Sequence, residues 1–358
     1  ENIIDHHGSK VLLENFVNKK LLNYKTKRNF DYGSYKQNCV SSLSPAICRR
    51  ILTEKDIVKR ISNQFTYGQV EKFIDEICWR TYWKGWLEHR PQVWYDYLIE
   101  LKELKPLKLD SLDYKNAITG NTGLECFDTW VNHLLKFGYL HNHTRMWFAS
   151  LWIFHFKLPW QLGAELFYQN LLDADSASNT LSWRWVAGLQ TKGKKYIAST
   201  ENINRFTNNR FSFPSKLILS EEEVPGYKFY EPTHVAVKSN SSKAKNKGHL
   251  IIEEDLSFVN VDKDSPVIIQ SKSYNKFGQS EYVESFSNKA LENAIRHCKN
   301  EISHKVSTFT WDNTELIKDW IETNSLDEIE IIAPTIGKYD KLIPKLMGRF
   351  NINTIYYY

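Results

Sequence analysis

The hydrophobic pattern of the chain changes its period once, and this change limits the folds that the chain can adopt. Up to about residue 210 the apolar residues recur at helical spacing, as Val11, Leu12 and Phe16 do. From residue 249 onward, short β-branched runs alternate with helical stretches. We therefore predict a helical domain followed by a smaller α/β domain with a mainly parallel sheet.

The predicted boundaries are 1–214 for the helical domain, 215–248 for a linker and 249–358 for the α/β domain. The segment 238–248 is rich in Ser, Lys and Asn and has no apolar face, which is typical of a linker. Five segments are predicted to be strands: His249–Glu253, Pro266–Gln270, Val306–Trp311, Glu328–Ala333 and Asn353–Tyr358. The helices predicted between them include one with Leu291, Ile295, Cys298 and Ile302 on one face, and others near 314–323 and 341–350.

Charge and cysteine usage exclude several classes of protein. The net charge of +5 does not by itself indicate a nucleic-acid binder. The segment 184–210 is different, because it holds six basic residues and one acid; it could neutralise backbone phosphates or be a solvated loop. The five cysteines are widely spaced without a CxxC, so we predict no zinc site and a reduced, cytoplasmic protein. No apolar run is long enough to span a bilayer, and no membrane partner is predicted.

Tryptophan is unusually frequent in the first half of the chain. Ten of the twelve tryptophans precede residue 186, and aromatic residues make up 14% of the sequence. Core packing explains most of them, because aromatic side chains dominate the burial of apolar surface. The alternative for a few is a stacking surface and a path for electrons.

Three motifs between residues 141 and 185 carry the chemistry: HNHTRM at 141–146, LPW at 158–160 and LLDADSASNTLSWRW at 171–185. Together with earlier motifs they resemble the flavin-binding domain of DNA photolyases and cryptochromes, from about residue 8 to about residue 214. The resemblance implies that the helical domain binds a U-shaped FAD. Residues 249–358 are then either a permuted or reduced version of the family's α/β domain, or an unrelated α/β module. The usual antenna-chromophore site is not recognisable there, so an antenna chromophore is doubtful.

The resemblance assigns the FAD phosphates to the segment from Tyr24 and to a serine-rich turn. Ser41, Ser42, Leu43 and Ser44 match that turn, where hydroxyls and backbone N–H groups precede a helix. The family often has Thr where Val40 stands, which removes one hydroxyl. Such a turn is by itself usually only a helix cap.

The resemblance also assigns the flavin edge to a set of polar residues: Arg80, Asn142, Arg145, Asp173, Asp175 and Asn179. Arg145 would pair with Asp173, which is also what a plain salt bridge between helices would look like. Asp175 is expected to hydrogen-bond the ring. Asn179 is expected to face N5 and, because it does not titrate, to let anionic reduced flavin persist. Two acids spaced i,i+2 could instead indicate a metal site or an acid–base pair, but no third ligand follows and no metal is predicted.

The substrate residues implied by the resemblance are those of enzymes that split cyclobutane pyrimidine dimers. Glu76 would hydrogen-bond the damaged bases, and Trp79 and Trp185 would form two aromatic walls. Asn142 and Met146 stand where enzymes for (6-4) photoproducts have histidines, whereas His141 and His143 are read as structural or pocket-edge groups. For Glu76, an i,i+4 ion pair with Arg80 on a solvated helix is the alternative.

Trp183 and Trp160 match the first two members of the family's photoreduction chain. The third is absent or relocated, and Trp94 is the candidate. The sequence therefore predicts a light-driven DNA repair flavoenzyme of the cyclobutane-dimer type, with UV-damaged DNA as its partner. The alternatives are a cryptochrome-like photoreceptor without repair activity, and a flavin-binding protein whose DNA activity has been lost.

Overall fold

The chain forms two compact units, and each is assembled from separate stretches of sequence. The structure, a computed structural model, describes residues 3–33, 38–213, 217, 219–220, 222–235, 246–259 and 261–357. The first unit comprises residues 1–15, 43–63 and 234–358, and the second comprises 16–42 and 64–233. These boundaries differ from the predicted ones, because two stretches assigned to the helical domain group with the α/β part.

The part of the chain before residue 210 is helical, as predicted. Its helices are α1 His6–Lys19, α2 Leu21–Lys27, α3 Ser44–Cys48, α4 Glu54–Ser62, α5 Tyr67–Glu88, α6 Gln92–Lys108, α7 Leu112–Thr119, α8 Glu125–Phe137, α9 Asn142–Ser150, α10 Trp160–Asn170, α11 Ser176–Val186 and α12 Thr200–Thr207. Within the described residues, no helix is both long and apolar enough to cross a membrane.

Local sequence signals set several of these helix ends. Thr53 begins α4 with a capping box, since its hydroxyl accepts from the Asp56 N–H and Asp56 accepts from the Thr53 N–H. Gly120 and Gly138 end α7 and α8 with φ values of 69° and 62°, which a residue with a Cβ rarely adopts. α9 continues into a π-helical turn at Leu151–His155.

Core packing accounts for most of the early tryptophans, as expected. Of the ten before residue 186, the six buried ones are Trp94, Trp130, Trp147, Trp152, Trp160 and Trp183. The rings of Phe127 and Phe148 stack on each other, with their centroids 4.4 Å apart. The helical unit is thus organised around an aromatic core that α8, α9, α10 and α11 share.

The α/β part has a five-stranded, fully parallel sheet in the order β3-β2-β1-β4-β5. Its strands are β1 Lys247–Ile251, β2 Val267–Gln270, β3 Val306–Phe309, β4 Glu328–Ile332 and β5 Asn353–Tyr357. Its helices are α13 Glu281–His297, which continues into a π-helical turn at Cys298–Ile302, α14 Glu315–Thr323 and α15 Leu342–Phe350. All five predicted strands are confirmed, although β1 begins inside the predicted linker and Tyr358 lies outside the described residues.

The central strands are buried, as strands covered by helices on both faces are. Every residue of β2 is buried, and so is β1 after its first residue. Gly248 of β1 has no room for a side chain, because a Cβ there would lie 2.5 Å from the Trp320 ring. The layer thus needs glycine where α14 crosses the sheet.

Two early segments complete this unit. The Arg49 carbonyl accepts from the Leu256 N–H at 2.9 Å, and its guanidinium donates to Ser287 Oγ at 2.8 Å. Arg50 and Asp255 form an ion pair at 2.6 Å. These contacts explain why the stretch 43–63 groups with the α/β part rather than with the other helices.

Candidate functional site

An ion-pair cluster joins α5, α9 and the turn before α11 in the helical unit. Arg145 Nη2 donates to both Asp173 carboxylate oxygens, at 3.0 and 3.1 Å, so the predicted pair is present. Arg80 pairs with Asp175 and lies 3.8 Å from the Asp173 carboxylate. The Arg80 side chain thus turns toward these acids, and the alternative pair with Glu76 is not the one that the structure forms.

Both carboxylate oxygens of Asp175 have partners. One accepts from the Ser178 N–H at 2.7 Å and caps α11, while the other meets Arg80. Asn179 is buried, and its Nδ2 donates to the Ala164 carbonyl at 2.8 Å, which ties α11 to α10. The polar residues predicted to meet the flavin are therefore hydrogen-bonded and ion-paired within the protein.

Tyr139 is a member of this cluster that the sequence did not single out. Tyr139 is hydrogen-bonded to Ser42. The Arg145 guanidinium lies over its ring, 5.7 Å from the ring centroid. Burial, opposed by the Arg145 charge, raises the pKa of Tyr139 to about 12. Its position three residues before Asn142 could have indicated that Tyr139 belongs to the site, but its contact with Ser42 is visible only in the folded chain.

Tyr24 approaches the same region from α2. Its ring packs edge-on against Phe73 at 5.0 Å. Burial, reinforced by the Glu76 carboxylate and by Tyr139, raises the pKa of the Tyr24 phenol. Tyr24 therefore lies near the predicted Glu76 of α5, while Ser42 meets Tyr139, whose ring the predicted Arg145 of α9 covers.

The serine-rich turn is not a side-chain cap. The residue that precedes α3 is Leu43, whose side chain offers no acceptor, and the helix itself is only five residues long. Ser42 adopts a positive φ of 56°. Leu43 and Ser44 belong to the first unit and Ser41 and Ser42 to the second, so the predicted phosphate segment crosses the boundary between the units.

The predicted substrate residues differ in exposure. Trp79 on α5 is 46% exposed and Trp185 on α11 is 37% exposed. Asn142 is exposed in the first turn of α9, and Met146 is half-buried one turn later. Glu76 is half-buried and already pairs with Lys72 at 3.0 Å and Arg28 at 3.6 Å.

The two histidines read as structural or pocket-edge groups, His141 and His143, both have partners within the protein. His141 caps α9 by accepting from the His143 N–H at 3.3 Å, and burial lowers its pKa to about 4. His143 Nδ1 lies 3.0 Å from the Asn29 carbonyl, and burial lowers its pKa too. Both rings are therefore neutral near pH 7 and take part in packing.

Trp160 and Trp183 are buried and belong to different ring contacts. Trp183 meets Trp152 edge-on at 6.3 Å. Trp160 stacks on Tyr97 at 5.5 Å, and Tyr97 contacts Trp94 at 5.3 Å. Trp94 is thus connected to Trp160 by one ring, but at 1% exposure it is not at the surface.

The basic run at 184–210 does not form one surface patch. Arg184 is 4% exposed, with Nη2 donating to the Leu189 carbonyl at 3.1 Å, and Arg210 pairs with Asp31 at 3.4 Å. Arg184 is therefore buried too deeply for either predicted role, a phosphate-binding patch or a solvated loop, and Arg210 is half-buried beside Asp31. Lys192, Lys194 and Arg205 are exposed.

These residues fit an FAD. The cluster offers the guanidinium groups of Arg80 and Arg145 and the hydroxyls of Tyr139 and Ser42 for anionic and carbonyl oxygens. On α11, Thr180 Oγ1 and Trp183 Nε1 are buried without a hydrogen-bond partner among the described residues. Buried polar atoms without a partner cost free energy, so a ligand that meets them would be stabilised.

Comparison with known proteins gives the same family. The model of the FAD-binding domain of DNA photolyase matches residues 73–255, about half of the chain. The deoxyribodipyrimidine photo-lyase of Agrobacterium fabrum is 26% identical over 61% of this chain and 48% of its own. Among solved structures, a bacterial class III photolyase from Agrobacterium tumefaciens covers 57% of this chain and 43% of its own at 26% identity and a TM-score of 0.48. A Synechocystis cryptochrome covers the same shares at 21% identity and a TM-score of 0.49.

The matched region contains most of the cluster described above, from Glu76 to Asn179, and its description specifies the cofactor, FAD. The chain spans about half or less of the length of the curated relatives that it matches. On the match to the FAD-binding domain, this chain belongs to the DNA photolyase family.

Proposed function

We propose that the protein is a light-driven DNA repair enzyme that splits cyclobutane pyrimidine dimers. The observation that carries this proposal is that two adjacent residues of α5, Trp79 and Arg80, face different surroundings. The Arg80 side chain is mostly buried and reaches the acids before α11, whereas the Trp79 ring is exposed. One helix thus offers a charge to the cofactor cluster and an aromatic ring to a molecule outside.

A flipped lesion is the molecule that suits such a surface. Trp185 is the second exposed tryptophan, on α11, and α11 also carries Asn179 and Trp183. Aromatic side chains that stack on flipped bases are common in enzymes that act on a base. When bound, reduced FAD supplies the chemistry, which is the light-driven transfer of one electron to the dimer and its return.

The remaining predicted residues would position the lesion. Asn142 presents an amide at the exposed first turn of α9, and Met146 lines the same helix one turn later. An amide and a thioether do not donate a proton readily near pH 7, which suits a reaction that opens a ring by electron transfer alone. Arg145 and Asp173 would hold the flavin edge in place.

Glu76 favours a second candidate. Its carboxylate already pairs with Lys72 and Arg28, so a hydrogen bond to a damaged base would have to compete with two cations. A photoreceptor that binds FAD without repairing DNA needs no such bond. The second candidate is therefore a cryptochrome-like photoreceptor.

The deciding experiment is repair of an oligonucleotide with a single cyclobutane dimer by prereduced, FAD-loaded protein under blue light. Repair that needs light, and that falls when Trp79 is replaced by Ala while FAD stays bound, is the expected result. Repair of (6-4) lesions in place of cyclobutane dimers would contradict the substrate assignment. Full FAD occupancy with no repair of either lesion would favour the photoreceptor.

A further inference from the structure

Helix α5 carries more exposed aromatic surface than one lesion-stacking tryptophan requires. Trp79, Tyr82, Trp83 and Trp86 recur at spacings of three and four, which places them along one side of the helix. We call these four residues the aromatic stripe. Tyr82 is 52% exposed, and Trp83 and Trp86 are half-buried.

Three of the four rings of the stripe, those of Trp79, Tyr82 and Trp83, contact one another. The Trp79 and Trp83 centroids are 5.6 Å apart, and Tyr82 lies 5.2 Å from each of them. With a rise of about 1.5 Å per residue, the stripe extends over roughly 10 Å of helix. This length suits several stacked rings better than a single one.

Cations accompany the stripe and the aromatic residues next to it. The Arg90 guanidinium stacks on the Trp86 ring at 4.6 Å, and its Nε donates to the Tyr230 carbonyl at 3.2 Å. Tyr230 belongs to a segment in which Tyr227 and Phe229 are exposed. Lys192 lies over the Tyr227 ring at 5.8 Å.

Exposed rings with interspersed cations are what proteins use to bind single-stranded nucleic acid, because every base has a face that stacks and every linkage carries a negative charge. Paired bases already stack on each other and do not offer their faces. We infer that the aromatic stripe binds unpaired DNA bases, so that the preferred substrate is a single strand extending beyond the lesion. This inference rests on the proposed function for the lesion itself, but it also concerns undamaged DNA.

The test measures binding of a labelled, undamaged oligothymidylate of about a dozen nucleotides to FAD-loaded protein in the dark, by fluorescence anisotropy. A duplex of equal length is the reference and should bind more weakly. Tyr82→Ala should weaken binding to the single strand about tenfold, the expected effect of losing one stacked base, while Tyr82→Phe should keep it. Because the lost ring carries no charge, the salt dependence of binding should stay unchanged in Tyr82→Ala.

Tyr67→Ala is the matched control, since Tyr67 is another tyrosine on the same helix that is at least as exposed as Tyr82 but lies outside the stripe, near Asp75. Equal effects of the two alanine variants, or equal affinity for single strand and duplex, would overturn the inference. So would a protein that self-associates in sedimentation and becomes monomeric in Tyr82→Ala, because the stripe would then bind a second copy. Dimer repair without any effect of Tyr82 on single-strand binding would refute only this inference, whereas Tyr82-dependent binding without repair would refute only the proposed function.

Discussion

At the scale of single residues, Asp175 has two structural duties and one proposed cofactor role. One carboxylate oxygen caps α11 through the Ser178 N–H and the other neutralises Arg80. A serine in this position can still cap a helix but carries no charge. Capping of α11 and pairing with Arg80 can therefore be separated, because Asp175→Ser removes only the charge whereas Asp175→Ala removes both.

We expect Asp175→Ser and Asp175→Ala both to lower FAD occupancy, because each removes the carboxylate that is expected to hydrogen-bond the flavin ring and that holds Arg80 in place. Only Asp175→Ala should also lose the cap, at a cost of about 1 kcal/mol in unfolding free energy. Flavin absorbance per protein and denaturant unfolding of the apoprotein measure the two effects. Normal flavin content in both variants would remove Asp175 from the cofactor site.

At the scale of elements, the contact between α10 and α11 depends on a glycine. A Cβ on Gly163 of α10 would lie 2.3 Å from the Trp183 ring of α11 and 3.0 Å from Trp152. Gly85 in α5 is also inside a helix, but a Cβ there would meet nothing within 4 Å. Gly163 is therefore required for the close packing of α10 against α11, whereas no neighbour requires a glycine at position 85.

Gly163→Ala should destabilise the protein by about 1–3 kcal/mol through overpacking and should change the fluorescence of the buried tryptophans. Gly85→Ala should instead stabilise it by up to about 1 kcal/mol, since alanine is the better helix former. Chemical denaturation of both variants tests the contrast. A neutral Gly163→Ala would mean that α10 and α11 are less tightly packed than the structure has them.

Another element-level feature lies just beyond the carboxyl end of β1. The buried Glu253 carboxylate accepts from Lys338, Ser273 and Tyr339, each at 2.6 Å. Burial alone would raise the pKa of Glu253, but the Lys338 charge and these hydrogen bonds outweigh it and hold the pKa below its ordinary value. Ionised Glu253 therefore stabilises the fold at neutral pH.

Because the folded-state pKa is depressed, this stability is fully present above the unfolded pKa of about 4.3 and is lost as pH falls through the lower folded value. We expect Glu253→Gln to cost about 3 kcal/mol at pH 7, since it leaves Lys338 unpaired, and to flatten the acid loss of stability. Glu315→Gln, which removes an exposed pair with Arg349, should cost at most about 1 kcal/mol. Equal costs in the two variants, measured by denaturation across this pH range, would contradict the network.

At the scale of the whole molecule, the α/β unit is not one continuous segment. Leu256 and Ser287 hydrogen-bond Arg49, and Asp255 pairs with Arg50. Asn293 donates to the Ile4 carbonyl at 3.4 Å. A fragment that begins at β1 lacks the early partners in these contacts, Ile4, Arg49 and Arg50.

The fragment 246–358 should therefore unfold at a lower temperature than the α/β unit does in the full chain, and should bind dyes that report exposed apolar surface. Circular dichroism against temperature measures the first effect and dye fluorescence the second. Supplying residues 3–63 as a second chain should restore part of the loss. A fragment as stable as the intact unit would show that these early segments contribute little.

Much of the architecture could be predicted from local pattern. Short β-branched runs located the strands, and their alternation with helices predicted the parallel sheet, since parallel neighbours in such a layer require crossovers. The motifs from Glu76 to Trp185 indicated the family, and the pair of Arg145 with Asp173 followed from them. In each case the information lies in short stretches of sequence.

The sequence by itself thus determined the elements, the parallel layer and the flavin-domain family. Only the tertiary structure decided that Arg184 is buried while Lys194 is exposed, that Arg80 pairs with Asp175, and that Tyr139 meets Ser42. The physical reason is that a charge's partner and a side chain's exposure depend on residues far away along the chain. Spacing along one helix or strand carries no record of those distant residues, so only the folded chain reveals them.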